Sequence, residues 1–168
     1  MKKVMIPVLA LLVLFAVTSM MAEPATKISF TGSASFRFGN VSPGEEWTTN
    51  DGVYHVKGAV SQGDVLVQSV LGDMAGTMIM VHDLTLDLNA GLGDCHGKVV
   101  IAVPGVGTFE GSEHGSHMIT DRHYISGDLV AKGTGGFDGL MMKGSYEGEM
   151  LNQLAEAEIE GTLLSPNK

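Results

Sequence analysis

A single cysteine, Cys95, serves the whole 168-residue chain, so no disulfide can form within it and stability has to come from packing and hydrogen bonds. Basic residues are scarce: 10 Lys and Arg against 19 Asp and Glu leave a formal charge of -9. That surface repels phosphate backbones, and no basic patch interleaved with aromatics offsets it, which excludes nucleic acid as a partner. Aromatics are only 6% of residues, too few for the two interfacial girdles of a membrane-embedded barrel. No nucleophile elbow or dinucleotide fingerprint occurs. Gly133-Thr134-Gly135-Gly136 precedes a strand rather than a helix and so lacks the geometry that cradles phosphate. Nothing calls for a cofactor.

The one long apolar run is at the start. Lys2 and Lys3 precede apolar residues 4–17, followed by small and polar residues and then Glu23-Pro24. The run is shorter than the roughly 20 residues of a membrane span and has the order of a secretory signal. We read 1–22 as a signal peptide, with cleavage falling between 18 and 22, and 23–168 as one domain. The expected location is secreted or periplasmic, with no stable membrane insertion once the signal is removed. No cysteine follows the run, which argues against a lipid-modified N-terminus.

What fills the remainder is alternation. Ile28, Phe30, Ala34, Phe36 and Phe38 share one parity, while Ser29, Thr31, Ser33, Ser35 and Arg37 share the other, the period of a half-buried strand. Leu84, Leu86 and Leu88 alternate with Thr85 and Asp87, and Val99, Ile101 and Val103 follow the same rule. Further strands are expected at 53–60, 64–71, 76–82, 117–132 and 137–150, separated by turn signals at 40–45, 50–52, 89–94 and 132–136. Residues 151–160 have good helix formers, but Ala155, Ala157, Ile159, Gly161 and Leu163 alternate with Glu156, Glu158, Glu160 and Thr162, so a strand is expected there too.

Three related units stand out: Gly107-Thr108-Phe109-Glu110-Gly111, Gly135-Gly136-Phe137-Asp138-Gly139 and Gly144-Ser145-Tyr146-Glu147-Gly148. In an extended strand the ring enters a core while the neighbouring acid faces water, and the glycines permit bends. With 23 glycines, many inside or at the ends of the expected strands, a curved sheet closed into a barrel fits better than a flat sandwich. The expected fold is all-β: an antiparallel up-and-down barrel of about eight strands. These units, with Tyr124-Ile125-Ser126-Gly127-Asp128-Leu129 between them and the hairpin at 51–58, resemble the allene oxide cyclase-like and dirigent-like barrels of the calycin type, over residues 30–161. That resemblance implies a barrel cavity open at one end and apolar small molecules as cargo. None of the cyclase's catalytic residues can be matched here.

Among chemistry-bearing residues, Glu110, Glu113, His114, His117, Asp121 and His123 form the densest polar group. Imidazole and carboxylate suit zinc, manganese or copper, and Glu113, His114 and His117 are the candidate metal ligands if a loop at 111–115 folds them together. On a regular strand His114 and His117 point to opposite faces, and His117 and His123 lie about 20 Å apart. Cys95 beside His96 is read as buried or inert, and His82 and His55 as isolated surface or hydrogen-bonded core histidines. Glu147 with Glu149, and Glu156 with Glu158 and Glu160, read as outward acids that keep a barrel soluble. Met78 and Met80 share a face; with Phe36, Phe38 and Tyr54 they are the candidate lining for a ligand. The expected function is non-enzymatic binding of a small apolar ligand in the barrel. A cyclase- or isomerase-type enzyme and a structural or interaction module of the cell envelope are the alternatives, and self-association is compatible with any of them.

Overall fold

A computed structural model describes residues 26–165; the signal-peptide reading lies outside them. Nine strands follow one another: β1 (Thr26–Ser42), β2 (Glu45–Thr48), β3 (Val53–Ser69), β4 (Gly72–Asp87), β5 (Leu92–Val103), β6 (Gly107–Ile119), β7 (His123–Gly135), β8 (Met141–Leu151) and β9 (Leu154–Ser165). Each long strand pairs antiparallel with its sequence neighbours, and β1 pairs with both β3 and β9, closing an eight-stranded barrel. The short β2 continues β1 after a register shift between Arg37 and Ser42, so that both run along β3. Closure leaves no long free edge, which suits a chain that carries no disulfide.

Alternation holds along the strands except at a bulge in β3, where Lys57 and Gly58, the latter with a φ of 69°, separate the inward Val56 and Ala59. Phe30, Ala34, Phe36, Val65, Val67, Met78, Met80, Val99, Ile101, Phe109, Ile125, Leu129, Ala157, Ile159 and Leu163 are buried in one continuous core. A smaller cluster of Val56, Ala59, Leu84 and Cys95, with Phe38 and Tyr54 against it, fills the other end. The stretch 151–160 is indeed strand, entered through a two-residue hairpin in which Asn152 and Gln153 both have positive φ, 53° and 67°.

Three expectations are corrected. Residues 53–60 and 64–71 are not two strands but the single β3, and 76–82 joins the leucine run as β4, because Ser61 and Gly63 keep the inward parity and pairing continues through them. Residues 117–132 are split by a turn at 120–122 that carries no glycine or proline to announce it. The middle aromatic unit is a turn, not a strand: Gly135 and Gly139 have φ of 63° and 83°, and Phe137 N–H, Asp138 N–H and Leu140 N–H donate to Thr134, Gly135 and Phe137 carbonyls. The ring still finds the core, because Phe137 stacks on Phe109 with centroids 4.6 Å apart and plugs that end of the barrel.

Candidate functional site

The barrel interior holds a chain of buried polar groups that local glycines make possible. His82 on β4, Gly97 on β5 and Glu113 on β6 occupy one cross-strand row. A side chain at Gly97 would fall 2.8 Å from His82 Cβ; its absence lets His82 Nδ1 reach Glu113 Oε1 at 3.3 Å. The next row runs Cys95, Gly115, Gly127, Tyr146 across β5 to β8. Here the Tyr146 ring lies over the two glycines, since a Cβ on Gly127 would meet its Cζ at 2.7 Å. Its hydroxyl donates to Glu113 Oε2 at 3.1 Å and approaches Cys95 Sγ at 4.0 Å.

On the far side, His82 Nε2 is 3.1 Å from Ser61 Oγ, which also accepts the Gly39 N–H at 2.9 Å, and Phe38 stacks on the imidazole at 4.6 Å. A carboxylate only accepts, so the hydrogen of His82 belongs on Nδ1 and Nε2 accepts from the Ser61 hydroxyl. The order hydroxyl, imidazole, carboxylate is that of an activated nucleophile. Yet Ser61 is 0% exposed, and neither interior void borders it. No buried side-chain nitrogen or oxygen among the described residues lacks a partner, so the chain works as a fully satisfied polar core.

Burial sets the protonation of its neighbours. Desolvation, reinforced by the Glu113 charge, pushes the Cys95 thiol up to about 12, so it carries almost no thiolate at neutral pH. Tyr146 is raised by the same two causes. His117 is held down to about 4 by burial and then by His123 and His82, against the opposing pull of Glu113. His123 is lowered by burial, and Tyr54 is raised to about 12, mainly by desolvation and then by Glu46.

The proposed ligand-lining residues face inward, in two groups. Phe36, Met78 and Met80 border a void of about 30 Å³ that Glu113 and Tyr146 also touch, whereas Phe38 and Tyr54 pack against the smaller cluster. A second void of about 10 Å³ lies next to Phe38, His82 and His117. These spaces suit a water rather than an organic ligand, for which pockets of roughly 300–1,000 Å³ are usual. The candidate metal ligands are not brought together. There is no loop at 111–115; β6 runs straight through, so Glu113 and His117 turn inward while His114 is exposed on the outer face. His117 instead meets His123, with Nδ1 and Nε2 2.8 Å apart, because the turn at 120–122 puts them on adjacent strands rather than 20 Å apart along one. Reading residues singly missed Ser61, His82 and Tyr146 as a set. Their shared inward parity, each beside a glycine-bearing row, was the available signal.

The large concavity is outside. Outward side chains of β4 to β8 form two contiguous cross-strand rows: Asp87, Leu92, Met118, Tyr124, Glu149, and beside it Thr85, Asp94, Ser116, Ser126, Glu147. Together with Val53 they line a groove of about 1020 Å³. Its apolar floor is open to solvent, Leu92 being 56% and Met118 46% exposed. Arg122 clamps Glu149 through one guanidinium nitrogen at 3.0 and 3.1 Å, but among the described residues no Lys, Arg or His pairs with Asp94 or Glu147.

The fold and its buried centre thus define a class, a closed eight-stranded antiparallel barrel with a polar core. Compared with family models, curated proteins and solved structures, the chain matches none significantly.

Proposed function

We propose that this protein is an exported interaction module that acts through its outer groove, and that the groove takes a cationic segment of a partner protein with alternate apolar side chains. The observation that carries this reading is one of volume: about 1020 Å³ outside against voids of about 30 and 10 Å³ within. The occupant's chemistry follows from the lining. Leu92, Met118 and Tyr124 offer an apolar strip, and Asp94 and Glu147 offer charge from the row beside it. Across the adjoining β8–β9 pair, Glu147 faces Glu158 and Glu149 faces Glu156. Such like-charge pairs cost stability, and they deepen the negative field that a cation would relieve. Five strands at about 4.8 Å spacing span roughly 20 Å, the length of six extended residues at about 3.3 Å each.

A labelled seven-residue peptide alternating lysine with leucine tests the reading by fluorescence anisotropy. Binding should weaken about tenfold in the double variant Asp94→Asn, Glu147→Gln, and persist in Asp64→Asn, Asp73→Asn, which removes the same charge from exposed positions of β3 and β4 outside the groove. Equal losses in both variants would reduce the effect to net charge and end the proposal.

A second reading keeps the interior as the site. It draws on the 30 Å³ void, where Phe36, Met78 and Met80 meet the ionisable Glu113 and Tyr146. Flexible methionines would have to open that space for an apolar ligand or cyclase-type substrate. A stoichiometric apolar molecule retained in native mass spectra of protein taken gently from its host would favour this reading over the groove.

A further inference from the structure

We infer that the rim of the barrel at the end opposite Phe137 is a binding site for a soft monovalent cation, Cu(I), held by His117, His123 and Met150. The three belong to consecutive strands and share the inward parity. His117 on β6 is diagonal to His123 on β7, and His123 is the direct cross-strand partner of Met150 on β8. The imidazole nitrogens already converge: His117 Nδ1 and His123 Nε2 are 2.8 Å apart, with the rings tilted by 53°. Two nitrogens bound to one metal at about 2.0 Å, at tetrahedral or trigonal angles, sit roughly 3.3–3.5 Å apart, so a small ring rotation admits an ion where the hydrogen bond now lies. Met150 packs against the core and borders the same small void as His117, which places a thioether on the third side.

Donor softness selects the ion. Two imidazoles and a thioether favour Cu(I): zinc shares the imidazoles but takes thiolate, carboxylate or further imidazole in preference to a thioether, and manganese and magnesium need oxygen donors that this end does not direct at the pair. Glu113, the nearest inward acid on the same strand, has its oxygens engaged by His82 and Tyr146. His114, three residues before His117, faces away. Entry is open because His123 is only half-buried, while His117 is 5% exposed and shields the ion from water once bound. In the free protein the His117–His123 hydrogen bond holds the site closed; the accepting ring already presents a bare nitrogen, and the donating ring has a second nitrogen to which its proton can move when the metal arrives.

The test is a titration of the folded barrel with Cu(I) in ascorbate against a chromophoric Cu(I) chelator, with Ag(I) as a redox-silent check by native mass spectrometry. One equivalent should bind, and the X-ray absorption spectrum of the wild-type adduct should show two nitrogen neighbours and one sulfur. His123→Ala, at the half-buried rim, should weaken binding at least tenfold, and Met150→Leu should remove the sulfur neighbour. Circular dichroism confirms that each variant is folded. Absence of stoichiometric Cu(I), tighter binding of Zn(II), or a sulfur neighbour that survives in Met150→Leu and disappears in Cys95→Ala would overturn the assignment.

Discussion

Cys95 shows how an interior decides chemistry that a residue's neighbours in sequence suggest wrongly. Next to His96 it invites comparison with a thiol–imidazole pair, but adjacent residues on a strand diverge, and His96 leans outward towards Asp83 at 3.9 Å. The thiol faces Glu113 and Tyr146 instead, and burial with that negative charge raises its titration to about 12. The sign is then fixed. A group that loses its proton less readily when folded lends stability below the unfolded value of 9.0 and withdraws it as pH climbs towards about 12. Wild type should therefore lose more urea resistance between pH 9 and 11 than Cys95→Ala does, by up to about 1.4 kcal/mol per pH unit. Parallel curves for the two proteins would show that the thiol is not held protonated by its surroundings. Burial of Cys95 was expected because no second thiol and no signature motif accompany it; its contact with Tyr146 was not, because that depends on Gly115 and Gly127 lying in the same row, four strands wide.

Turns decide the elements, and they explain which parts of the fold could be read from sequence. Period-two alternation marks β1, β5 and β9 directly, and it outweighs helix propensity at 151–160 because the glutamates stand on one parity only. Ser61, Gln62 and Gly63 look like turn residues, yet β3 passes through them, since the Ser61 hydroxyl finds His82 and the Gly39 N–H inside the barrel. Thr120, Asp121 and Arg122 look like strand and are a turn, and missing it concealed the approach of His117 to His123. The β8–β9 hairpin is the least favourable of these links. Gln153 has a φ of 67° with no glycine to relieve it, while its carbonyl accepts the Phe38 N–H at 2.8 Å and so ties β1 to the turn. Left-handed backbone costs a residue with a side chain roughly 1 kcal/mol. Gln153→Gly keeps that carbonyl and removes the strain, so it should stabilise the barrel by about 0.5–1 kcal/mol, less the extra chain entropy of glycine. The urea midpoint should rise with an unchanged slope; a fall would mean that the Gln153 side chain contributes more than its backbone costs.

At the scale of the whole molecule, the defining contact joins the first strand to the last. Residues 26–37 pair in unbroken register with residues 154–165, from Thr26 opposite Ser165 to Arg37 opposite Leu154. This pairing was foreseen only as a general expectation of closure, since alternation reveals which face of a strand is buried but not which strand lies beside it. It has a direct consequence. Thr26 and Ser165 are cross-strand neighbours, so a short glycine-serine linker can join them without moving either strand. New ends can then be opened between Val70 and Leu71, in the β3–β4 turn, where both side chains are exposed, by 89% and 61%. Every strand pair of the barrel survives this rearrangement, and only the loop that closes each pair changes length, a cost that grows slowly with loop size. The permuted chain should fold to the same all-β circular dichroism spectrum and remain within about 1–2 kcal/mol of the original in urea. If the barrel were instead open between β1 and β9, the linker would have to span a gap, and the permuted protein would be strained, exposed at two edges and prone to aggregate.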